Sequence, residues 1–311
     1  MKCSNQEIRA LELFCGIGGF AAAVADSNVR VIAALDQSPA ALAVYQYNYP
    51  DHPALSSDLE KITATELTGY AADLWWLSPP CQPYSVRGHR HDLDDPRARS
   101  LCRLLEVMAE MAPDDLPRHL ALENVPGFAD SQARDRLTAL LASRHYAICE
   151  RLLCPTELGV PSRRPRYYLV ASRAGLEPVR PVVARPRVLT DFLDPHLHEA
   201  PPADLLLDPA VVERFGDGFR ILDPDDPAAY TTCFTAGYGK SLMHAGSYLR
   251  CRSGVRRFAP REIAALLGFP AKYDFPAGVP LRKRWHLLGN SLSVVAVREV
   301  LRAIGELKLA D

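Results

Sequence analysis

The thiol of Cys81 stands in the tetrapeptide Pro79-Pro80-Cys81-Gln82, directly after the apolar run Leu74–Leu77. Prolines fix φ and remove backbone donors, so a strand formed by the apolar run must end at this point. The thiol would then be held on a stiff turn, where it could act as a nucleophile. A lone cysteine is more often a buried small hydrophobe, so the tetrapeptide by itself leaves both interpretations open.

A glycine-rich loop near the start of the chain is typical of a nucleotide site. The pattern G-x-G-x-x-A begins at Gly16, after the predicted strand Ile8–Phe14, and Asp36 follows the next predicted strand, Val29–Leu35. Glycines let the backbone approach a ligand, and a carboxylate after the second strand can hold both hydroxyls of a ribose. A dinucleotide and S-adenosylmethionine both contain such a ribose, so the pattern predicts one of these two cofactors.

Two further residues could contact an adenine ring. Phe14 stands at a strand end, where its ring could stack on the base, although a strand aromatic is more often a core residue. Asp58 follows the third predicted strand, Ala54–Ser57, and could accept a hydrogen bond from the adenine amino group. A helix cap before Leu59 is an equally good interpretation of Asp58.

Glu123 closes another predicted strand, which begins at His119. Open parallel sheets bind ligands beyond the carboxyl ends of their strands, so Glu123, Cys81, Asp36 and the Gly16 loop should converge on one crevice. Burial beside an apolar pocket would raise the pKa of the Glu123 carboxyl and suit it to donate a proton to a ring nitrogen. No comparable Ser-His-Asp arrangement is evident.

The elements that position these residues alternate between strands and helices. This alternation predicts a doubly wound α/β fold with a mostly parallel sheet covered on both faces. Further strands are predicted at Leu74–Leu77, Tyr146–Leu153 and Arg166–Ala171, and helices at Phe20–Ala25, Pro39–Tyr47, Arg97–Met111, Ser131–Ser143, Pro260–Leu267 and Ser291–Leu307.

Proline density divides the chain. Nine of the 26 prolines fall between positions 178 and 227, where long regular helices cannot form. We therefore expect a catalytic and cofactor-binding domain at 1–172, a small irregular target-recognition domain at 173–254, and a segment at 255–311 that returns to the catalytic domain.

Composition narrows the classes of function. The 311 residues carry a net charge of -1, so any surface for nucleic acid must be local, as in the arginine clusters near positions 87–103, 163–166 and 250–261. No apolar run is long enough to span a bilayer, so no membrane role is expected. Eight cysteines without C-x-x-C spacing argue against a disulfide framework or zinc ribbon, and predict a cytoplasmic protein without a metal.

The motifs taken together resemble the cytosine-5 methyltransferase family over nearly the whole chain. The resemblance is carried by Leu13–Gly19, Pro79–Gln82, Glu123–Val125, Arg164–Tyr167 and Leu288–Ser291. Within the family, Leu122–Phe128, Pro155–Pro161 and Cys233-Phe234-Thr235 resemble the branch called DNA methyltransferase homologue two, which methylates a cytosine in the anticodon loop of aspartate tRNA. Two departures are the absence of the glutamine of Gln-x-Arg-x-Arg, which the tRNA branch also lacks, and His244-Ala245-Gly246 in place of glutamate-glycine-threonine.

The resemblance implies a role for each motif residue. Cys81 would attack carbon 6 of cytosine, Glu123 would protonate the ring, and Arg164 and Arg166 would stabilise the flipped base. S-adenosylmethionine would be the cofactor, tRNA the favoured partner and DNA the other candidate, and we expect a monomer. The implied cofactor contacts are Phe14, Gly16, Gly18, Gly19, Asp36, Asp58, Asn290 and Ser291, and the implied substrate contacts are Gln82, Arg87, Cys233, Phe234, Thr235 and Lys240.

Two interpretations of other classes remain open. A nicotinamide dehydrogenase would account for the Gly16 loop and Asp36 but for neither Cys81 nor Glu123. A cofactor-binding module without activity is the non-enzyme alternative, and the complete catalytic set argues against it. For Cys233 a packing role is favoured over a second functional thiol.

Overall fold

The computed structural model describes residues 7–85, 91–178 and 184–310. It divides into two compact units: unit 1 comprises Met1–Leu153, Pro165–Pro181 and Ala296–Asp311, and unit 2 comprises Cys154–Arg164 and Val182–Val295. Unit 2 differs from the recognition domain predicted at 173–254, because it also contains residues 154–164 and 255–295 and begins its main stretch at residue 182. The functional labels of the domains stay a prediction.

A sheet of seven strands forms the centre of unit 1 within the described residues. The strands are β1 (Ile8–Leu13), β2 (Val29–Asp36), β3 (Ala54–Ser56), β4 (Leu74–Leu77), β5 (His119–Asn124), β6 (Ala147–Leu153) and β8 (Arg166–Ser172). Their order in the sheet is β3-β2-β1-β4-β5-β8-β6, and β8 alone runs opposite to the other six. The predicted mostly parallel sheet is therefore confirmed.

Helices cover both faces of this sheet. Because side chains alternate along a strand, Trp75 and Trp76 point to opposite faces. Trp75 lies in the core cluster with Leu104 of α4, whereas Trp76 stacks on Phe20 of α1 at 5.3 Å. The helices of unit 1 are α1 (Gly19–Val24), α2 (Pro39–Asn48), α3 (Ala64–Tyr70), α4 (Arg99–Glu110) and α5 (Gln132–Ser143).

Unit 2 is built from short elements around an aromatic core. The ring of Tyr238 packs edge-on against Phe234 and Trp285 and stacks on Tyr248. The elements are β7 (Ser162–Arg163), β9 (Arg220–Leu222), β10 (Thr231–Thr232), β11 (Ser247–Cys251), β12 (Gly254–Arg257), α6 (Pro195–Glu199), α7 (Pro209–Phe215), α8 (Pro260–Leu267) and α9 (Leu281–Gly289). The helices of the proline-rich stretch are short, as predicted.

The last predicted helix is wrong in extent. Helix α10 spans Val294–Leu301, whereas the sequence analysis expected Ser291–Leu307. Beyond Leu301 the backbone bonds join residues three apart, as in Ile304 N–H to Leu301 O, and Gly305 follows. Glycine has a low helix propensity, which favours the early end. No helix in the described ranges is long and apolar enough to cross a membrane.

Candidate active site

The carboxyl ends of four neighbouring parallel strands bring the predicted residues of unit 1 to one edge of the sheet. Leu13 of β1 is in register with Leu35 of β2 and with Leu77 of β4, and Leu77 is in register with Leu122 of β5. The next residues along these strands are Phe14, Asp36, Ser78 and Glu123. These four residues therefore share one edge of the sheet in unit 1.

The turn that carries Cys81 is fixed by two contacts. The Asn124 side chain donates from Nδ2 to the Pro79 carbonyl oxygen at 3.2 Å, which ties the end of β5 to the turn. Cys81 then opens a short 3-10 turn over Gln82–Tyr84 and is partly exposed. Tyr84 packs edge-on against Phe128 at 4.8 Å. Because both loops are packed together, Cys81 has a fixed position relative to Glu123.

Arg97 is a charged neighbour of Cys81 that sequence reasoning placed in an arginine cluster but not in the site. The pKa of Arg97 is raised, first by its hydrogen bond to Asp95 and in smaller part by the charge of Cys81. Arg97 binds both carboxylate oxygens of Asp95, with Nε to Oδ1 at 2.8 Å and Nη2 to Oδ2 at 2.6 Å. A guanidinium held near a thiol favours the thiolate, which is the nucleophilic form.

Glu123 and Arg166 form a pair at the same edge. Arg166 Nε lies 3.1 Å from Glu123 Oε1, and both side chains are mostly buried. Arg166 begins β8, which is antiparallel to β5, so the start of β8 lies at the edge of the sheet where β5 ends. The pair gives the crevice a fixed acid and a fixed cation side by side, although the proton-donating role of Glu123 stays a prediction.

The glycine-rich loop has the backbone of a ligand-binding turn. Phe14 has φ of 60°, which is uncommon for a bulky residue, and Gly16 and Gly18 also have positive φ. Asp36 organises the loop, since its carboxylate accepts from Gly16 N–H and Ser38 N–H, both at 2.8 Å. Burial raises the pKa of Asp36, and these backbone donors oppose the shift.

The two glycines of this loop with positive φ have different surroundings. A Cβ added to Gly16 would meet nothing within 4 Å, whereas one added to Gly18 would lie 2.6 Å from the Tyr49 ring. Gly19 begins α1 and is buried. Each carboxylate oxygen can accept more than one hydrogen bond, so Asp36 keeps capacity for ribose hydroxyls. The loop therefore has the shape and the acceptors that a nucleoside cofactor needs.

Asp58 lies in a turn on the surface. Its Oδ1 accepts from Glu60 N–H at 3.2 Å, and its Oδ2 pairs with Lys61 at 2.8 Å. The hydrogen bond from Lys61 lowers the pKa of Asp58. Asp58 thus caps a surface turn, not the α-helix that the sequence left open. Adenine recognition by Asp58 stays a prediction.

A buried acid in β1 was missed by sequence reasoning. The Glu12 side chain is fully buried; its Oε2 accepts from the Tyr45 hydroxyl at 3.0 Å, and Oε1 has no hydrogen-bond partner among the described residues. Burial raises the pKa of Glu12 to about 8. The signal was present, because one glutamate interrupts a run of apolar residues in a strand that both faces bury.

In unit 2, Arg164 contacts two of the predicted motifs. The guanidinium is buried and donates from Nη1 to Cys233 Sγ and the Phe234 carbonyl oxygen, both at 3.2 Å. Its Nη2 donates to the Gly289 carbonyl oxygen at 3.2 Å and to the Ser291 carbonyl oxygen. The Phe234 ring lies in the aromatic core, so its part is to hold the tripeptide in place.

A basic cavity lies next to Thr235. It has a volume of about 380 Å³, and the lining residues are Ala236, Lys240, Pro280, Arg282, Lys283 and His286. Lys240 is exposed, and Thr235 is half-buried beside it in the chain. Three of its lining side chains, Lys240, Arg282 and Lys283, are cationic, and among the described residues no carboxylate lines it. Arg87, another predicted substrate contact, lies outside the described residues.

Comparison with known proteins agrees with this geometry. The model of the family described as C-5 cytosine-specific DNA methylase matches residues 8–203 and 229–306. The human protein named tRNA (cytosine(38)-C(5))-methyltransferase is 28% identical, and the alignment covers 97% of this chain and 100% of the human one.

Solved structures give the same fold. The crystal structure of the S. pombe Dnmt2 methyltransferase matches with a TM-score of 0.82 at 27% identity, covering 94% of this chain and 96% of that one. The Entamoeba histolytica methyltransferase EhMeth matches with a TM-score of 0.86 at 24% identity, covering 96% and 98% of the two chains. The family match over residues 8–203 and 229–306 decides against a nicotinamide dehydrogenase. The chain belongs to the C-5 cytosine-specific DNA methylase family.

Proposed function

We propose that this protein transfers a methyl group from S-adenosylmethionine to carbon 5 of a cytosine in tRNA, through a covalent bond to Cys81. One observation carries the proposal: Cys81, the Glu123–Arg166 pair and the glycine loop share one edge of the sheet. The names of relatives such as the human tRNA methyltransferase support tRNA as substrate. Following the branch it resembles, the target is a cytosine in the anticodon loop of aspartate tRNA.

The residues present fit the proposed cofactor. The loop leaves open space at Gly16, Asp36 offers carboxylate oxygens, and the ring of Phe14 is half-exposed at the strand end. In unit 2 the Ser291 hydroxyl is buried and has no hydrogen-bond partner among the described residues. Gly18, Gly19, Asp58 and Asn290 complete the proposed cofactor set. When bound, S-adenosylmethionine would supply a methyl group activated by a sulfonium.

The chain's own residues account for the remaining chemistry. Cys81 as thiolate adds to carbon 6 of the cytosine, and Glu123 delivers a proton to the ring nitrogen at position 3. Electron density then rises at carbon 5, which takes the methyl group. Loss of the carbon 5 proton to a solvent base expels Cys81 and returns the ring-nitrogen proton to Glu123. Arg166 stabilises the charge on Glu123 between these steps.

Binding of the polynucleotide would use local charge, because the net charge of the chain is -1. The basic cavity beside Thr235 supplies Lys240, Arg282 and Lys283 for phosphate contacts. Gln82, beside the nucleophile, and Arg87 would contact the flipped nucleotide. The target base must leave its stack to reach Cys81, which favours a single-stranded loop over a duplex.

Transfer of labelled methyl groups tests this function. Purified protein with methyl-labelled S-adenosylmethionine should label tRNA, and bisulfite sequencing should locate one cytosine in the anticodon loop of aspartate tRNA. Cys81→Ala should abolish labelling, whereas Cys149→Ala, a half-buried thiol on β6, should not. Labelling of duplex DNA with none in tRNA would overturn the tRNA assignment in favour of a DNA methyltransferase. Labelling by the Cys81→Ala protein would overturn the nucleophile.

A further inference from the structure

The Cys-Phe-Thr tripeptide, Cys233–Thr235, and the segment Gly289–Ser291 are joined inside unit 2. We propose that Arg164 is a positioning residue that holds these two segments as one body and thereby links cofactor binding to RNA binding. The proposal rests on the proposed function, which places a substrate contact on the tripeptide and a cofactor contact on Ser291. It replaces the catalytic role that family resemblance implied for Arg164.

The hydrogen bonds of Arg164 carry the assignment. Its two terminal nitrogens reach four acceptors, two on each segment: Cys233 Sγ and Phe234 O on one, Gly289 O and Ser291 O on the other. The guanidinium is 4% exposed, so its charge is shielded from solvent and committed to these partners. Buried charged hydrogen bonds are strong and geometrically specific, and the planar guanidinium directs its two terminal nitrogens to different segments, whereas a lysine has one terminal nitrogen on a flexible stem.

Two further contacts hold the same pair of segments together. A Cβ added to Gly289 would clash with the backbone of Thr235 and Ala236, so the two chains touch without an intervening side chain. His286 Nδ1 lies 3.2 Å from the Ala236 carbonyl oxygen, and its Nε2 lies 3.4 Å from Asn290 Nδ2. A shift of one segment therefore has to move the other.

The physical consequence is a coupling between ligands. A ligand that orders Asn290 and Ser291 has already fixed the tripeptide, so the second ligand loses less conformational freedom when it binds. Linkage requires the effect to be reciprocal, and typical coupling factors are about 5–150-fold. We expect S-adenosylhomocysteine, the demethylated product, to bind at least about fivefold more tightly when saturating tRNA is present.

Arg164→Lys tests the assignment, with Arg30→Lys as the control because Arg30 is exposed and lies in unit 1, outside the proposed sites. Calorimetric titration of S-adenosylhomocysteine, with and without tRNA, should give a coupling factor near one for Arg164→Lys and the wild-type factor for Arg30→Lys. The KM values for cofactor and tRNA should both rise in Arg164→Lys. An unchanged coupling factor in a folded Arg164→Lys protein would overturn the proposal.

If Arg164→Lys does not fold, hydrogen exchange in the wild-type protein tests the role of Arg164. S-adenosylhomocysteine alone should slow hydrogen exchange at the amides of Phe234–Ala236 as well as in the Gly16 loop. Slower exchange in the Gly16 loop without any change at Phe234–Ala236 would contradict the role of Arg164 and leave the proposed function intact. Absence of any cofactor effect in both segments would instead count against the proposed function.

Discussion

At the scale of single residues, the candidate site combines strain, charge and a buried acid. Phe14 has an unfavourable positive φ in a loop where both flanking elements are buried, which is typical of functional turns. The pKa of Arg97 is raised by its hydrogen bond to Asp95 and in smaller part by the charge of Cys81, and Arg166 Nε lies 3.1 Å from Glu123 Oε1. Glu12, which lies two residues before Phe14, is fully buried, and burial raises its pKa to about 8.

Replacement of Glu12 by glutamine should change how stability depends on pH. Burial raises the pKa of Glu12 from 4.5 to about 8, with hydrogen bonding to Tyr45 opposing the shift and the charge of Asp36 adding to it. Between these pH values the folded protein binds a proton that the unfolded chain releases. Wild-type stability is therefore lost as pH rises toward 8, by at most about 1.4 kcal/mol per pH unit.

Glu12→Gln keeps the neutral shape without the titration. Its free energy of unfolding relative to wild type should rise from pH 5 to pH 8 and then level off, as measured by urea unfolding across this range. The exposed Glu60→Gln is the control and should follow wild type. A Glu12→Gln protein whose stability tracks wild type at every pH would contradict the buried, protonated state of Glu12.

At the scale of elements, the sequence predicted features that depend on local residue patterns better than it predicted features that depend on long-range pairing. Helix α8 begins and ends where expected, because Pro260 suits the first turn and Gly268 adopts the left-handed conformation just past the end. Helix α3 was missed although Thr63 and Glu66 form a capping box. The antiparallel insertion of β8 and the partners of Arg164, up to 127 residues away, depend on tertiary packing that no local pattern encodes.

Gly18, at the junction between the loop and α1, should tolerate no side chain. Its φ is 87°, and an added Cβ would lie 2.6 Å from the Tyr49 ring. Gly18→Ala should therefore lower the free energy of unfolding by about 1–3 kcal/mol and weaken cofactor binding. Gly69→Ala is the matched control, since Gly69 lies in α3 with open space around it.

Helical glycine costs stability, so Gly69→Ala should leave the protein as stable as wild type or more stable by up to about 1 kcal/mol. Thermal unfolding with and without S-adenosylhomocysteine measures both effects. Equal stability and equal cofactor affinity in the Gly18→Ala and Gly69→Ala proteins would show that the left-handed turn is not required.

At the scale of the whole molecule, the chain carries the proposed catalytic residues and the proposed recognition residues in separate compact units. Cys81, Glu123 and Arg166 belong to unit 1, and the tripeptide with the basic cavity belongs to unit 2. The prolines predicted a small irregular domain at 173–254, and residues 255–295 belong to the same compact unit as most of that stretch, where the Trp285 ring packs edge-on against Tyr238. Because the net charge of the chain is -1, a surface for nucleic acid has to come from local clusters of cationic residues.

In the proposed function, Cys81 attacks a cytosine of tRNA. This attack is tested most directly with aspartate tRNA that carries 5-fluorocytidine, because fluorine at carbon 5 cannot leave as a proton does and the covalent bond to the thiol persists. With S-adenosylmethionine present, wild-type protein should form a complex with this tRNA that survives denaturing electrophoresis, and Cys81→Ala should form none. A complex that persists in Cys81→Ala, or one that wild type forms with fluorinated duplex DNA but not with tRNA, would contradict the account.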